Sequence, residues 1–452
     1  MFFSLLWFAL GGNGEVPVPM WYAETVAEKT LPPSEGIRLT PPELTAIRDG
    51  KPAVPFRDVT TGIRLTDGSM WVGTGGGLCF LAKGRDHWRL FHSRRWLPDN
   101  RVQDLAVTPQ GIVFVQTPGG VGKLFRKHKT LAQKMGEIHA ELRRGHLREG
   151  LVGHITLKQP GHPEAGSFQP DSDNDGLWTS LYAAAEAFRF GASGDGQAKE
   201  NAWAALKALM FLEKITGIPG YAARTIWPAT EPKPQHGEWH QTADSKWWWK
   251  SDTSSDELDG HYFAYAVYYD LAATPEEKEQ IRRVVARITD HIIDRGYYYV
   301  GPSGKPTRWG VWAPEKLNRE LAWIEDRGLN SLEILSHLKV AGHITGKPGY
   351  AAAARHLIEH HGYALNTVWQ KAVWPPRINH SDDQLAFLSY YPLLIYERDP
   401  KLREIYQVSL ERSWQIERPE KSPFFNLIYG ACRQANTWKE PGQRPNSAGV
   451  EP

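Results

Sequence analysis

Four short segments concentrate residues able to move protons: Asp171-Ser-Asp-Asn-Asp-Gly176, Ser251-Asp-Thr-Ser-Ser-Asp-Glu257, Arg327-Gly-Leu-Asn330 and Asn379-His-Ser-Asp-Asp383. Paired carboxylates are the machinery of glycosidic-bond hydrolysis: one, protonated, serves the leaving oxygen, and the other, ionised, activates water or attacks the sugar. The acid needs a neighbouring charge or an apolar wall to hold its proton. Asp256 beside Glu257, behind Trp247-Trp-Trp249, offers both, so Asp256 or Glu257 is the expected acid. A helix N-terminus favours an anion, which points to Asp175 as base, with Asp252 and Asp382 as the next candidates. Spacing along the chain does not fix the distance between carboxylates, so inversion and retention both stay open.

A second chemistry uses other residues of the same segments. Elimination from a uronic-acid polymer needs a base at C5, a group that neutralises the uronate and a donor to the leaving oxygen. His380, His261, Tyr390, Asn330 and Arg224 are of the right types, and His380 is the best placed, between Asn379 and a Ser-Asp-Asp run ending at Asp383. Asp171-x-Asp173-x-Asp175-Gly176 has the spacing of the first half of a calcium loop, but Tyr182 stands where the bidentate Glu belongs. A calcium site of another kind at Asp171 and Asp173 is the one cofactor reading left. His236 and His240 are four apart, but Pro228, Pro232 and Pro234 oppose the helix that a zinc protease needs. His356 and His360 read as a solvated helix face. No nucleophile elbow, phosphate loop or dinucleotide fingerprint occurs.

Aromatic residues are abundant, with 19 Trp, 17 Tyr and 16 Phe. Flat rings with a polar edge suit sugars as well as cores. Trp178, Trp239, Trp247, Trp248, Trp249, Trp309, Trp312 and Trp374 fall before helices or in long loops. Of these, Trp178, Trp249, Trp309 and Trp312 are the expected sugar platforms, with Arg224, His261, Asn330 and Asp383 as polar contacts. The expected partner is a carbohydrate. Lys+Arg 53 against Asp+Glu 51 leaves no basic excess for nucleic acid. Two cysteines, Cys79 and Cys432, exclude a disulfide framework and a cysteine zinc site.

The elements that must position these groups are helices. Leu177, Leu181, Ala184 and Phe188 form an amphipathic stripe. Further helices are expected at about 125–146, 198–215, 257–273, 275–294, 329–345, 348–362, 381–397, 400–416 and 422–434, separated by Thr-Pro, Gly-Lys-Pro-Gly and Arg-Asp-Pro stops. The four polar segments open alternate helices. The helices between them start on plain sequences such as Pro275-Glu-Glu-Lys278. In a ring of helical hairpins, alternate helices run the same way, so their N-termini gather on one rim. One Asp, Asn or Ser per start is ordinary capping. Two or three acids per start exceed what capping needs.

The N-terminal part reads differently. Phe2 to Leu10 is an apolar run, too short to span a bilayer and lacking the basic lead of a signal peptide, so 1–14 reads as a partial signal segment. Residues 15–61 are Pro-rich and without a period. Residues 62–124 read as strands, with Gly68-Ser-Met-Trp-Val-Gly-Thr74 repeated as Gly111-Ile-Val-Phe-Val-Gln-Thr117, at the spacing of propeller blades. Two copies do not close a ring. Residues 125–434 form the helical part, and 435–452 read as a disordered tail.

The repeat, with Trp96-Leu-Pro-Asp-Asn100 between its copies, resembles the bacterial two-component-regulator-type propeller repeat. The segments Asp173-Asn-Asp-Gly-Leu-Trp-Thr179, Trp249 to Glu257 with Gly260-His261, and Leu329 to Leu335 resemble those of bacterial six-hairpin-glycosidase-like proteins, many of which carry such repeats. The resemblance implies a mainly α fold, an α/α toroid of five or six hairpins with a small β-module, acting on carbohydrate by hydrolysis or by elimination. Five hairpins are counted where six close the usual ring. No β-sandwich follows the helices as in many polysaccharide lyases, which favours the hydrolase. A polymeric glycan implies a periplasmic or extracellular setting. A glycan-binding or sensing module is the reading from outside the enzymes, and the surplus of carboxylates argues against it.

Overall fold

The computed structural model describes residues 16–160, 162–370, 379–418 and 422–434. The segment 1–14 expected as a partial signal, Trp374 and the expected tail 435–452 lie outside them. Helices take about 48% of the chain and are joined by several small sheets, a mainly α class with a β part. The chain divides into two compact units, Glu15–Leu131 and the part that begins at Ala132.

The first unit holds β1 (Val18–Val26), β2 (Ile37–Arg38), α1 (Pro41–Asp49), β3 (Val59–Arg64), β4 (Met70–Thr74), β5 (Gly77–Leu81), β6 (Arg89–Phe91), β7 (Asp104–Val107), β8 (Val113–Thr117) and β9 (Gly120–Lys129). They form two antiparallel sheets, in the orders β2-β3-β4-β5-β6 and β1-β9-β8-β7. The repeated segments are β4 and β8, the second strands of two meanders. Alternate apolar residues of both sheets, among them Trp71, Leu78 and Phe91 from one and Leu105, Val113, Val115 and Leu124 from the other, share one buried core. Trp21 of β1 joins them edge-on, with its ring 5.5 Å from Trp71 and 5.4 Å from Phe91. Residues 15–61 are therefore not irregular. They supply β1 as the fourth strand of the second sheet, because its Trp and Tyr pack where a lone meander would leave an open edge. Among the described residues no barrel or propeller closes.

The second unit holds α2 (Leu131–Glu141), α3 (Asp175–Ser193), α4 (Gly196–Lys214), α5 (Ser255–Leu271), α6 (Pro275–Asp294), α7 (Pro314–Leu317), α8 (Arg327–Thr345), α9 (Pro348–His361), α10 (Tyr363–Thr367), α11 (His380–Tyr396), α12 (Pro400–Glu417) and α13 (Pro423–Gln434). The helix expected at 125–146 is shorter, because β9 claims the chain up to Lys129 and a π-turn follows at Leu142–His146. The long connection 296–328 is partly ordered by a hairpin of Tyr298–Val300 with Pro306–Val311.

Burial sorts the long helices into two kinds. In α5, 14 of 17 residues are buried, and in α8, 14 of 19. In α6 the figure is 7 of 20, and in α9 it is 3 of 14. Helices apolar on every side must be enclosed, and helices with one apolar stripe do the enclosing. The enclosed helices α3, α5, α8 and α11 pack α3 on α5, α5 on α8 and α11, and α8 on α11. Against them lie α4 on α3, α6 on α8, α9 on α8 and α13 on α11. One continuous apolar core runs through this unit.

Candidate functional site

The four enclosed helices begin at the four polar segments, and their N-cap side chains do not cap. None of the side chains of Asn174, Ser254, Asp326 and Asn379 accepts a backbone N–H of its own helix start. By contrast, Asp195, Thr274 and Asp399 cap α4, α6 and α12 in the usual way. At α3, α5 and α11 these side chains bond to neighbouring carboxylates instead. Asn174 Nδ2 donates across to Asp256 Oδ2 at 2.8 Å, and Ser254 Oγ donates to Asp256 Oδ1. Arg224 ties the two starts together. It donates to the carbonyls of Asp173 (2.7 Å) and Asp252 (3.1 Å), to Asn174 Oδ1 (3.3 Å) and to Ser254 Oγ (3.2 Å). Asp252 sits in the left-handed region (φ 55°) and accepts the Arg308 amide at 3.0 Å. Asn379 Nδ2 donates to Asp382 Oδ2 at 2.6 Å, and its amide donates to Asp383 Oδ2 at 2.8 Å.

Beneath these residues lies a buried polar group that sequence reasoning missed. Asp259 of α5 and Glu333 of α8 are enclosed together. His337 Nε2 lies 2.6 Å from Asp259 Oδ1, Ser389 Oγ donates to the same oxygen at 3.3 Å, and Trp312 Nε1 donates to Glu333 Oε2 at 2.8 Å. Burial holds both carboxyls well above the usual range; Asp259 pushes Glu333 further up, whereas the hydrogen bond from Glu333 draws Asp259 partly back. Asp256 raises them both, and Asp382 adds to the push on Glu333. The half-buried Asp256 and Asp382 stand at the starts of α5 and α11, two helices that pack on each other. Burial lowers His337 to about 3, so its ring is neutral. A usable signal existed: Glu333 and His337 stand four apart, on one face of a helix otherwise apolar all round.

Two expected catalytic groups lie too deep to meet a substrate. Glu257 has no exposed surface; its carboxyl abuts Gly176 and the first turn of α3, and neither oxygen has a hydrogen bond of good geometry. Burial first, then the Asp256 charge, hold it well above the carboxylate range. Asp175 is buried, takes the Thr225 hydroxyl on Oδ2 and lies 3.5 Å from Arg148; burial raises it, outweighing the lowering by these two partners. Both turn inward for one reason. A residue in the first turn of an enclosed helix points inward as readily as outward, and the sequence does not set the rotation.

No family model, curated protein or solved structure matches this chain.

The remaining candidates divide by exposure. Trp178 is 37% exposed and Trp309 44%, with the Arg308 guanidinium 4.7 Å over the Trp309 ring. Both are open faces beside the Asn174 and Asp252 loops. Trp249 and Trp312 are buried and are not platforms: Trp249 stacks on His240 at 4.4 Å, and Trp312 serves Glu333. Arg224 and Asn330 hold backbone, Asn330 through the Val311 carbonyl at 2.8 Å, and so position loops instead of meeting a ligand. His261 is buried with Nδ1 2.6 Å from the Glu257 carbonyl, and burial lowers it to about 4. Tyr390 is buried 2.6 Å from Ser409, and Asp383 is buried at its helix start. His380 is exposed, its ring 6.5 Å from Phe425. Elimination thus loses two of its expected groups, His261 and Tyr390, to the core. Lys250 takes both calcium candidates, at 3.1 Å from Asp171 and 2.7 Å from Asp173, so an ammonium fills the place of the cation. Among the described residues no group of three or more His, Cys, Asp or Glu stands ready for a metal. None of the described helices is long and apolar enough to cross a membrane.

Proposed function

We propose that this protein is a carbohydrate-active enzyme, a glycoside hydrolase working with Asp256 and Asp382 at the starts of α5 and α11. The observation that carries the reading is that these two half-buried carboxylates open separate helices, α5 and α11, that pack on each other and on α8. Hydrolysis needs two carboxylates supplied from different walls of one site. Asn174 and Ser254 both donate to Asp256 and orient it, and we assign it the base, taking a proton from water as that water attacks the sugar carbon. Asp382 then gives its proton to the leaving oxygen. Trp178 and Trp309 supply exposed faces for neighbouring sugar rings. The finer architecture belongs to the same reading: an open α/α toroid of four hairpins, α3–α4, α5–α6, α8–α9 and α11–α12, akin to the six-hairpin glycosidases, with a glycan met outside the cytoplasm.

The test is a panel of neutral and uronic polysaccharides, followed in parallel for new reducing ends and for the ultraviolet absorbance of unsaturated uronates. Reducing ends without absorbance are expected, and Asp256→Asn or Asp382→Asn should each lower that rate about 10²–10⁴-fold. Absorbance that survives both substitutions would refute the assignment. Glycan affinity with no turnover would make the protein a binder.

A further inference from the structure

The far ends of α8 and α11, away from Asp256 and Asp382, form a second feature. There α8, α9, α11 and α12 line a cavity of about 670 Å³, a size that takes a small organic ligand. Its floor is apolar, built from Leu335, Leu338, Leu393 and Tyr406. His343, stacked on Tyr396 at 4.0 Å and 2.8 Å from Asp270, makes a flat wall.

The rest of the lining is unequally charged, with five lysines and arginines against three carboxylates. Part of this charge is already answered. Lys339 meets Glu397 at 2.7 Å, Lys347 meets Asp290 at 3.0 Å, and Asp399 caps α12. Arg355, Arg398 and Lys401 have no carboxylate within ion-pair distance among the described residues, and of the lining acids Glu359 alone neither pairs nor caps.

We propose that this cavity is a binding site for a small amphiphilic anion, an apolar body with one acidic head, held by Arg355, Arg398 and Lys401 above the leucine floor. Unanswered cations at the mouth of an apolar cavity recognise a charged head, and the floor takes the hydrocarbon behind it. The site shares no residue with the proposed hydrolytic centre and stands whether or not that reading holds.

Calorimetric titration of the full chain with decanoate tests it, with decanol as the uncharged control. One decanoate should bind per chain, and decanol about tenfold more weakly or not at all, as expected of three partly exposed charge contacts. Replacing Arg355, Arg398 and Lys401 together by Gln should weaken decanoate about tenfold. Ala351→Trp, which fills the cavity from α9, should abolish binding, and thermal midpoints report that both variants are folded. Equal affinity for decanol, an unchanged affinity in the triple variant, or no decanoate binding up to millimolar concentration would each overturn the proposal.

Discussion

Glu333 shows how a single buried carboxyl sets a pH dependence. The folded protein keeps it protonated above its ordinary pKa, chiefly through burial and then through Asp259, while the unfolded chain releases that proton above about pH 4.3. Folding therefore binds a proton in that window, and the contribution of Glu333 to stability is full below about pH 4.3 and falls as pH rises toward its folded value. Gln has no proton to hold. Urea midpoints of Glu333→Gln, compared with wild type, should improve between pH 5 and 8, by at most about 1.4 kcal/mol per pH unit. His337 and His261, lowered by burial, give the opposite slope below about pH 6.5, but they are common to both proteins and cancel in the difference. A difference independent of pH would mean that Glu333 is ionised when folded. Arg224→Met should lower stability by about 2–4 kcal/mol, since one guanidinium holds two helix starts. The segments that hold Asp256 and Asp382 stand out in the sequence because several acids crowd them. Glu333, Asp259 and His337 do not, because one polar residue per turn of an apolar helix looks like scatter until neighbouring helices bring the turns together. Trp312 was misread for a related reason: its indole N–H finds a carboxylate that the sequence keeps 21 residues away.

Helices fix what residues cannot. Gly176, in the first turn of α3, lets α5 approach so closely that a Cβ there would overlap Glu257 Oε2 and come within 2.9 Å of His261 Cε1. Gly176→Ala should cost about 1–3 kcal/mol by overpacking. Adding Glu257→Ala should recover part of that loss, and chemical denaturation of the two single variants and the double one measures the coupling. Additive losses would show that the two helices separate rather than clash. The helix pattern was readable because enclosed and enclosing helices differ in composition. Tyr262 to Tyr269 has no polar face, whereas Pro275 to Asp294 has one, as α6 bears out with Ile281, Val284, Val285, Ile288 and Ile292 buried. What composition hid was rotation. It named the segments that open α3 and α5 but not that Asp175 and Glu257 turn inward while Asp256 turns out.

At the scale of the whole molecule, the two units have separate cores, with no residue shared between the sheet core around Trp71 and the helical core. Residues 15–131 expressed alone should therefore unfold in one cooperative transition, and removing residues up to Val26 should abolish it. A fragment indifferent to that loss would show that β1 is an accessory strand. The repeat of β4 in β8 was legible from local pattern, but the role of β1 was not, because its partner is the last strand of the unit: Val18 lies opposite Lys129, and Val26 opposite Val121. That pairing has a consequence for biosynthesis. β1 leaves the ribosome ahead of its partner, which is translated about 100 residues later, roughly 5–20 s at ordinary elongation rates. Until then a nine-residue strand rich in aromatic and β-branched side chains waits with both edges bare. The nascent chain is thus most exposed to aggregation during its own synthesis, and a chaperone that binds extended segments would find its natural client there.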